Sequence, residues 1–289
     1  MRSLLLSALL FSQALQAQLL PVPPAVTAHR DLAYVTGGHE RQKLDLYVPD
    51  QGDKLPLVVW VHGGGWESGD KSQCLTLPLT AQGFAAASIG YRLSQHAVFP
   101  AQIEDCKAAV RWLRVHAAEY RIDPDRIGAF GISAGGHLVA LMGTSGDVKD
   151  FDVGENLQVS SRVQAVCDMC GPTDLLRFRE KPSTIQLDAK GSLIQRLFGG
   201  AIQERLDVVK RFNPITWISK DDPPFLIVHG DADPLVPLSQ SQLLADALRA
   251  QGLPVEMHIE KGGGHVFFSS VVNAKIARLF ERTLKAAVQ

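Results

Sequence analysis

The sequence predicts an α/β fold in which a mostly parallel, eight-stranded sheet is flanked by helices. Continuous apolar runs of strand length recur along the chain, and such runs are typical of strands covered on both faces. Amphipathic stretches of helical length separate them, which indicates parallel strands joined by helical crossovers. The runs occupy residues 56–61, 84–89, 127–130, 163–167 and 225–228, and a weaker, alternating run occupies 255–259.

The two remaining strands are predicted before the first apolar run. Residues 31–36 and 43–48 flank the turn signal Gly37-Gly38, and the second stretch alternates apolar with polar residues as a half-buried strand does. We therefore expect an antiparallel hairpin at one edge of the sheet.

Helical periodicity is clearest over residues 101–120, where one face is apolar. This helix is expected to end at Asp123-Pro124-Asp125, before the next strand. Further helices are predicted over residues 136–142 and 274–287.

The chain of 289 residues has an even composition, and residues 25–289 are predicted to form a single domain. Residues 172–222 interrupt the alternation of strands and helices with charged sequence, including helical pieces at 193–198 and 203–211. Insertions this long in a compact fold are usually functional. We expect this insertion, called here the cap segment, to lie above the strand ends.

The N-terminus has the pattern of an export signal. Arg2 precedes a short apolar run at 4–11, and small residues follow at 14–17. The run is too short to span a bilayer. A buried N-terminal helix is the alternative, but three prolines over residues 20–24 prevent its continuation. We expect residues 1–17 to be a signal peptide cleaved after Ala17, and the protein to be periplasmic or secreted.

Charge and composition narrow the set of partners. The formal net charge is -1 and no basic stripe occurs, so nucleic acid is not expected as a partner. The expected partner is a small-molecule or polysaccharide substrate, without a membrane span, and the sequence leaves the oligomeric state open.

Four cysteines, Cys74, Cys106, Cys167 and Cys170, are compatible with several arrangements. Separate buried thiols are favoured, and a bridge between Cys74 and Cys106 is the preferred pairing if a disulfide forms. Cys167 and Cys170 have the spacing of a redox or metal pair, but they lie in an apolar run without a second pair of ligands. We therefore expect neither role.

The motif Gly-Ile-Ser-Ala-Gly at 131–135 carries the first chemical signal. It follows a predicted buried strand and precedes a predicted helix, which is the setting of a nucleophile elbow. There the serine occupies a sharp turn, and glycines stand where side chains would clash. Ser133 is thus the candidate nucleophile, although the pentapeptide also occurs as an ordinary turn.

A second signal is His62-Gly63-Gly64-Gly65-Trp66, called here the glycine-rich loop. Adjacent glycines let backbone N–H groups approach a ligand closely. The N–H of Gly64 or Gly65, together with that of Ala134, is predicted to form an oxyanion hole. A merely flexible loop is one alternative; a phosphate loop is another, but its Lys-Ser/Thr ending is missing. Trp66 is a candidate substrate contact.

The acid is expected after the serine, in the loop that follows residues 225–228. Asp231 and Asp233 both lie there, and we choose Asp233 because the loop then runs into prolines that fix its direction. Asp231 is expected to be a turn residue that bonds its own backbone.

The base is expected last, and His258 and His265 are the two histidines that follow Asp233. His258 falls inside a predicted strand, whereas His265 follows three glycines in a loop that is suited to deliver an imidazole to other strand ends. The order Ser133, Asp233, His265 is that of a nucleophile, acid and base relay. Neither a catalytic metal nor a cofactor is expected. His62, His137 and His229 are expected to be structural.

With these residues, the chain resembles the α/β-hydrolase superfamily from about residue 30 to its end. The motifs at 62–66 and 131–135 are similar to those of the hormone-sensitive-lipase-like branch, although Ile132 stands where that branch often carries Asp. The longer pattern resembles the bacterial feruloyl/acetyl-xylan esterase-like family. It comprises Gly64-Gly-Trp, Gly69-Asp-Lys71, Gly90-Tyr-Arg92, Phe99-Pro100, Asp105, Arg111-Trp-Leu-Arg114 and Gly171-Pro-Thr-Asp174.

The resemblance implies a serine esterase that acts on acetyl or feruloyl esters of plant cell-wall carbohydrates. Three other functions stay open at this point: a general short-chain carboxylesterase or lipase, a serine peptidase of the prolyl-oligopeptidase type, and a binding module without activity. The complete set of Ser, Asp and His argues against the last, because a binder does not need all three.

Overall fold

The computed structural model describes residues 21–178, 183–187 and 189–285. At its centre is an eight-stranded sheet in the order β1-β2-β4-β3-β5-β6-β7-β8, which confirms the predicted strand number. The strands are β1 (Val26–Ala33), β2 (Lys43–Pro49), β3 (Leu55–Val61), β4 (Ala85–Ile89), β5 (Ile122–Ile132), β6 (Ala165–Met169), β7 (Phe225–Gly230) and β8 (Val255–Glu260).

The sheet is mostly parallel, as predicted. β2 runs antiparallel to both of its neighbours, β1 and β4, and the pairings from β4 through β3 to β8 are all parallel. Every residue of β3 is buried, because strands in the middle of the sheet are covered by helices on both faces. The carboxyl ends of β3, β5, β7 and β8 therefore meet at one edge of the sheet.

Helices pack on both faces of the sheet and create two apolar cores. The helices are α1 (Ala101–Val115), α2 (Ala134–Thr144), α3 (Leu193–Phe198), α4 (Leu206–Phe212), α5 (Leu238–Ala250) and α6 (Ser270–Phe280), and a π-helical turn follows at Glu281–Lys285. One core receives side chains of α1, α2 and α5, and the other receives those of α6 and of a 3-10 turn at Leu77–Gln82.

The region between α1 and β5 differs from the prediction. The helix ends at Val115 rather than at residue 120, and β5 already begins at Ile122. Arg121 has a left-handed backbone with φ 56°, and its carbonyl accepts the N–H of Leu55 at 2.8 Å. Residues 123–126 form an irregularity in the strand instead of separating it from the helix, because Leu55 pairs with Ile122 but Leu57 pairs with Ile127.

Short helices occur in the cap segment at the predicted places. α3 occupies residues 193–198, and the second piece is divided into a 3-10 turn at Ile202–Glu204 and α4. The division falls at Arg205, whose φ of -129° is not helical. Ile194, Leu197 and Phe212 are buried in the same core as α1, so the segment packs firmly on the body of the protein.

All four cysteines are buried and free. Cys74 lies in one apolar core and Cys106 in the other, so the sheet separates the two residues. The favoured arrangement of separate thiols is therefore confirmed, and the alternative bridge between Cys74 and Cys106 is not formed.

The signal peptide predicted over residues 1–17 lies outside the described residues. Within the described ranges, no helix combines the length and the apolar character that crossing a membrane requires.

A buried charge cluster joins α1 to the loop that follows α2. Lys107 and Arg111 lie 3.1 and 3.0 Å from the same carboxylate oxygen of Asp152, and all three side chains are at most 8% exposed. Lys107 also donates to the carbonyls of Ser145 and Val148. The carboxylate is thus the negative charge that offsets two buried cations.

Replacing Asp152 with Ala is expected to lower the free energy of unfolding by about 3–5 kcal/mol, because two buried cations lose their counter-charge. Asp147→Ala is the matched control: it removes a surface pair with Arg162 in which the carboxylate is 73% exposed, and we expect a loss below about 1 kcal/mol. Denaturant unfolding of both variants measures the difference, and equal losses would contradict the assignment.

Candidate active site

Ser133 lies on the sharp turn between β5 and α2. Its backbone has φ 58° and ψ -122°, a conformation that is strained for any residue other than glycine. Its N–H donates to the carbonyl of Met169 at 2.8 Å, which ties the turn to β6. A Cβ on Gly135 would lie 2.1 Å from the carbonyl oxygen of Val61, so only glycine permits this close approach.

Three distant segments meet at this turn. The hydroxyl of Ser133 donates to Nε2 of His265 at 2.9 Å, and Nδ1–H of His265 donates to Oδ2 of Asp233 at 2.7 Å. Asp233 follows β7 and His265 follows β8, so both loops leave the same edge of the sheet as the turn at Ser133. The structure therefore brings together the three side chains that the sequence singled out.

The carboxylate of Asp233 is surrounded by N–H donors. Oδ1 accepts the backbone N–H groups of Leu235 and Val236 at 2.8 and 3.0 Å, and Oδ2 faces Nδ1 of His265 and Nε2 of His229. Burial by itself raises the pKa of Asp233, but hydrogen bonds from His229 and His265 outweigh it and hold the pKa well below its usual value. The carboxylate therefore stays ionised.

His229, which the sequence predicts to be structural, is a member of the site. Its Nε2 lies 3.2 Å from Oδ2 of Asp233 and 2.9 Å from the carbonyl oxygen of Val236, and its Nδ1 lies 2.7 Å from Oγ of Ser241. Because a carbonyl only accepts, Nε2 carries the proton and Nδ1 accepts from Ser241. The sequence feature that points to this role is the position of His229 at the end of a buried strand, four residues before Asp233.

His258 and Asp231, the alternative candidates for base and acid, form hydrogen bonds outside the relay. Nε2 of His258 lies 2.8 Å from Oε2 of Glu260 within β8. Asp231 lies in a turn, as expected, but among the described residues its side chain does not bond the backbone of its own loop, so that part of the expectation is wrong. Its Oδ1 accepts the N–H of Gly262 at 2.6 Å, because the loop after β8 folds over the loop after β7. Asp231 thereby ties the loop that carries His265 to the loop that carries Asp233.

The glycine-rich loop lies beside the serine. Gly64 has φ 109°, and a Cβ there would lie 2.4 Å from the carbonyl oxygen of Ser68. Gly65 and Ala134 line the same cavity as Ser133. Ala134 is the first residue of α2, so its N–H has no acceptor within the helix. Two of the three residues predicted for the oxyanion hole, Gly65 and Ala134, thus line the cavity at Ser133, where a developing oxyanion needs donors.

A polar cluster supports the glycine-rich loop from outside. His62 stacks on Tyr91 with ring centroids 4.3 Å apart, and the Tyr91 hydroxyl donates to the His62 carbonyl at 3.0 Å. Arg41 donates to the carbonyls of Tyr91 and Gly69 at 2.9 and 2.7 Å. Burial lowers the pKa of His62 to about 4, so its ring is neutral. No motif pointed to Arg41, which lies more than twenty residues earlier in the chain.

The cavity at Ser133 is small and apolar. Its volume is about 40 Å³, which is room for about three water molecules. Trp66 lines it, as predicted for a substrate contact, and packs edge-on against the rings of His137 and Phe212 at 5.4 and 5.3 Å. The cap segment supplies much of the wall: Pro172, Leu175, Phe178, Ile185, Leu187, Leu193 and Ile194.

Two further buried groups lie next to the site: Asp168, which belongs to no motif, and Cys170, for which the sequence predicts neither a redox nor a metal role. Cys170 has a left-handed backbone with φ 48°, and its thiol donates to the carbonyl of His265 at 2.9 Å. Asp168 accepts the N–H of Gly171 through Oδ1, while Oδ2 has no hydrogen-bond partner among the residues that the structure describes. Burial raises the pKa of Asp168 to about 6, although the Gly171 N–H and nearby His229 lower it.

Comparison with known proteins agrees with this architecture. A family model described as BD-FAE matches residues 44–248. The chain belongs to the BD-FAE family. Esterase LipQ of Mycobacterium tuberculosis is 31% identical over 268 residues, which are 88% of this chain and 62% of LipQ. The chain thus spans less than two thirds of that relative.

Solved structures share the fold over most of the chain. A truncated form of a carbohydrate esterase from gut microbiota has a TM-score of 0.82 and 32% identity, covering 90% of this chain and 96% of its own. A bifunctional GH43-CE protein of Bacteroides eggerthii has a TM-score of 0.80 and 37% identity, covering 89% of this chain and 38% of its own. The chain therefore has the α/β-hydrolase fold.

Asp168 makes stability depend on pH in a specific direction. Its pKa of about 6 lies above the ordinary 3.8, so between these values the folded state keeps a proton that the unfolded state has released. From pH 4 to pH 7, the free energy of unfolding of the wild type is expected to fall by on the order of 3 kcal/mol more than that of Asp168→Asn. Denaturant unfolding across this range measures it; parallel curves for the two proteins would contradict the assignment.

Proposed function

We propose that this chain is a serine carboxylic-ester hydrolase that acts through an acyl-enzyme on short acyl esters, acetyl esters above all, of plant cell-wall carbohydrates. The observation that carries the proposal is the relay from the Ser133 hydroxyl through His265 to Asp233, beside the amides of Gly65 and Ala134. A hydroxyl, a neutral imidazole and an ionised carboxylate in this order are the groups that acyl transfer requires.

In the first step, Nε2 of His265 accepts the proton of Ser133 while Oγ attacks the ester carbonyl. The imidazolium is stabilised by the carboxylate of Asp233, which also keeps the proton on Nδ1. The N–H groups of Gly65 or Gly64 and of Ala134 donate to the carbonyl oxygen as it becomes negative. The imidazolium then protonates the leaving alcohol, and water repeats the sequence on the acyl-enzyme.

The size of the acyl group is inferred from the cavity beside Ser133. A volume of about 40 Å³ and an apolar lining suit the methyl of an acetyl group or a short chain. A feruloyl group carries an aromatic ring that is much larger, so it requires the wall formed by the cap segment to move. We therefore favour acetyl over feruloyl esters.

The carbohydrate part of the substrate is inferred from the solved relatives. Two neighbours at 32% and 37% identity are described as a carbohydrate esterase and as a bifunctional GH43-CE protein. A general short-chain carboxylesterase is the second candidate function, because the same apolar cavity accepts a short acyl group irrespective of the alcohol.

A substrate panel separates these functions. We expect acetylated xylan and 4-nitrophenyl acetate to be hydrolysed, with a steep loss of kcat/KM for longer 4-nitrophenyl esters and for methyl ferulate. Equal rates on long and short chains would overturn the acyl assignment. Activity on 4-nitrophenyl acetate without release of acetate from xylan would favour the general carboxylesterase.

Ser133→Ala is expected to lower kcat at least ~10⁴-fold while the fold is kept, because the nucleophile is removed and the amide donors remain. Steady-state turnover of 4-nitrophenyl acetate measures the loss, with circular dichroism as the check on folding. Ser145→Ala is the control, since this buried hydroxyl bonds the carbonyl of Leu141 within α2. Retained turnover in Ser133→Ala would sink the serine mechanism.

His229 is assigned as a positioning residue for Asp233. His229→Leu is expected to lower kcat by about 100-fold with little change in KM, because a carboxylate that loses one donor holds His265 less accurately. His229→Gln keeps an N–H group that can reach Asp233 and is expected to recover part of the loss. An unchanged kcat, or equal losses in both variants, would argue for a purely structural role.

We also propose that the protein acts outside the cytoplasm, from the export pattern of residues 1–17. Expression of the full chain in a Gram-negative host is expected to yield activity in the periplasm or medium, with a mature N-terminus at Gln18. N-terminal sequencing tests it, and an intact N-terminus on protein confined to the cytoplasm would contradict it.

A further inference from the structure

A buried thiol lies against the relay, and the reaction has no use for it. The side chain of Cys170 is fully buried and contacts the loop of His265 through its carbonyl. Its sulfur, a carboxylate oxygen of Asp233 and a ring nitrogen of His265 all lie within 4.8 Å of one another. In the part of the chain that the structure describes, this is the one group of three such ligand atoms.

We propose that Cys170, Asp233 and His265 form an inhibitory site for a thiophilic divalent cation, of the class of Zn²⁺ and Cd²⁺. Sulfur, nitrogen and oxygen ligands are the set that these ions take in proteins. Binding needs only the three side chains, whereas its effect on turnover rests on the proposed function. The site is distinct from a catalytic metal centre, because the cation occupies groups that ester hydrolysis needs free.

The geometry is close to what the ion requires. Tetrahedral bonds of about 2.0–2.3 Å place ligand atoms roughly 3.5 Å apart, so movements on the order of 1 Å complete the site. The loop of His265 follows three glycines, which permits such a movement. The His265 side chain is 15% exposed, which gives the ion a route and leaves a fourth position for water.

The charges also balance. One thiolate and one carboxylate neutralise a divalent cation, so the complex carries no net charge into a buried environment. On binding, Cys170 releases its S–H proton to solvent and forms the sulfur–metal bond. No electron is transferred and no covalent modification occurs, so a chelator reverses the reaction.

Inhibition follows from the tautomer of His265. In the free site Nδ1 carries the proton and Nε2 accepts from Ser133. A cation bound to Nδ1 displaces that proton, and the neutral ring then carries its proton on Nε2. The same nitrogen must accept the Ser133 proton during attack on the ester. The bound cation therefore blocks the first step without occupying the acyl cavity.

The test measures Cd²⁺ binding separately from activity. Chelator-treated protein is titrated with Cd²⁺ by calorimetry and by the ultraviolet charge-transfer band of cadmium thiolate. The variants are Cys170→Ser, Cys170→Ala, Ser133→Ala and the control Cys167→Ala. Cys170→Ser keeps a hydroxyl able to donate to the His265 carbonyl, and Cys167 is a second buried thiol three residues away.

We expect one Cd²⁺ per chain in the wild type, in Cys167→Ala and in Ser133→Ala, with the charge-transfer band. Both Cys170 variants are expected to bind more than ~100-fold more weakly, since losing even an outer partner of a metal ligand costs about 10–100-fold. Inhibition of wild-type turnover by Cd²⁺ should be non-competitive with substrate, reversed by chelator and lost in Cys170→Ser.

Two results would overturn the site: no thiolate band in the wild type, or unchanged affinity in both Cys170 variants. Failure of the proposed function is distinguishable, because it appears as turnover retained in Ser133→Ala. Cd²⁺ binding by Ser133→Ala is measured only by the cadmium thiolate charge-transfer band and by calorimetry.

Discussion

The carboxylate of Asp233 is the group on which the geometry of the site depends. Its two oxygens collect N–H groups from its own loop, from His229 and from His265. A buried carboxylate is stable only when its charge is met by such donors. Since these donors come from the end of β7, from the loop after β7 and from the loop after β8, satisfying this one charge also orders the loop after β7 and orients the imidazole toward Ser133.

Ser133 reaches the active site through a strained backbone conformation, which neighbouring elements must stabilise. The left-handed backbone of Ser133 persists because β6 bonds its N–H and because glycine at 135 lets α2 approach β3. The glycine-rich loop is held through His62, whose carbonyl accepts the Tyr91 hydroxyl and whose Nε2 lies 3.3 Å from the guanidinium of Arg41. The same turn therefore places the Ser133 hydroxyl and the Ala134 amide, whereas the glycine-rich loop places the Gly65 amide. The cap segment supplies much of the wall of the small apolar cavity beside them.

Much of this site could be read from the sequence, because its signals are local. Ser133 between a buried strand and a helix, and His265 after three glycines, are patterns within a few residues. Asp168 and His229 carry no such pattern, and the spacing of Cys170 from Cys167 does not point to the relay. Each is an ordinary residue at the end of a buried strand, and its importance depends on what the neighbouring strands and loops bring to it. Asp231 illustrates the same limit, since its partner lies thirty-one residues away.

The sequence by itself determined the alternation of strands and helices, the strand number and the order of nucleophile, acid and base. These follow from hydrophobic periodicity and backbone constraints, which act over short stretches of chain. Only the tertiary structure decided that His229 shares the carboxylate of Asp233, that Cys170 lies against the relay, and that the cavity beside Ser133 is small. Those facts depend on the order and register of strands distant in the chain, which local patterns do not specify.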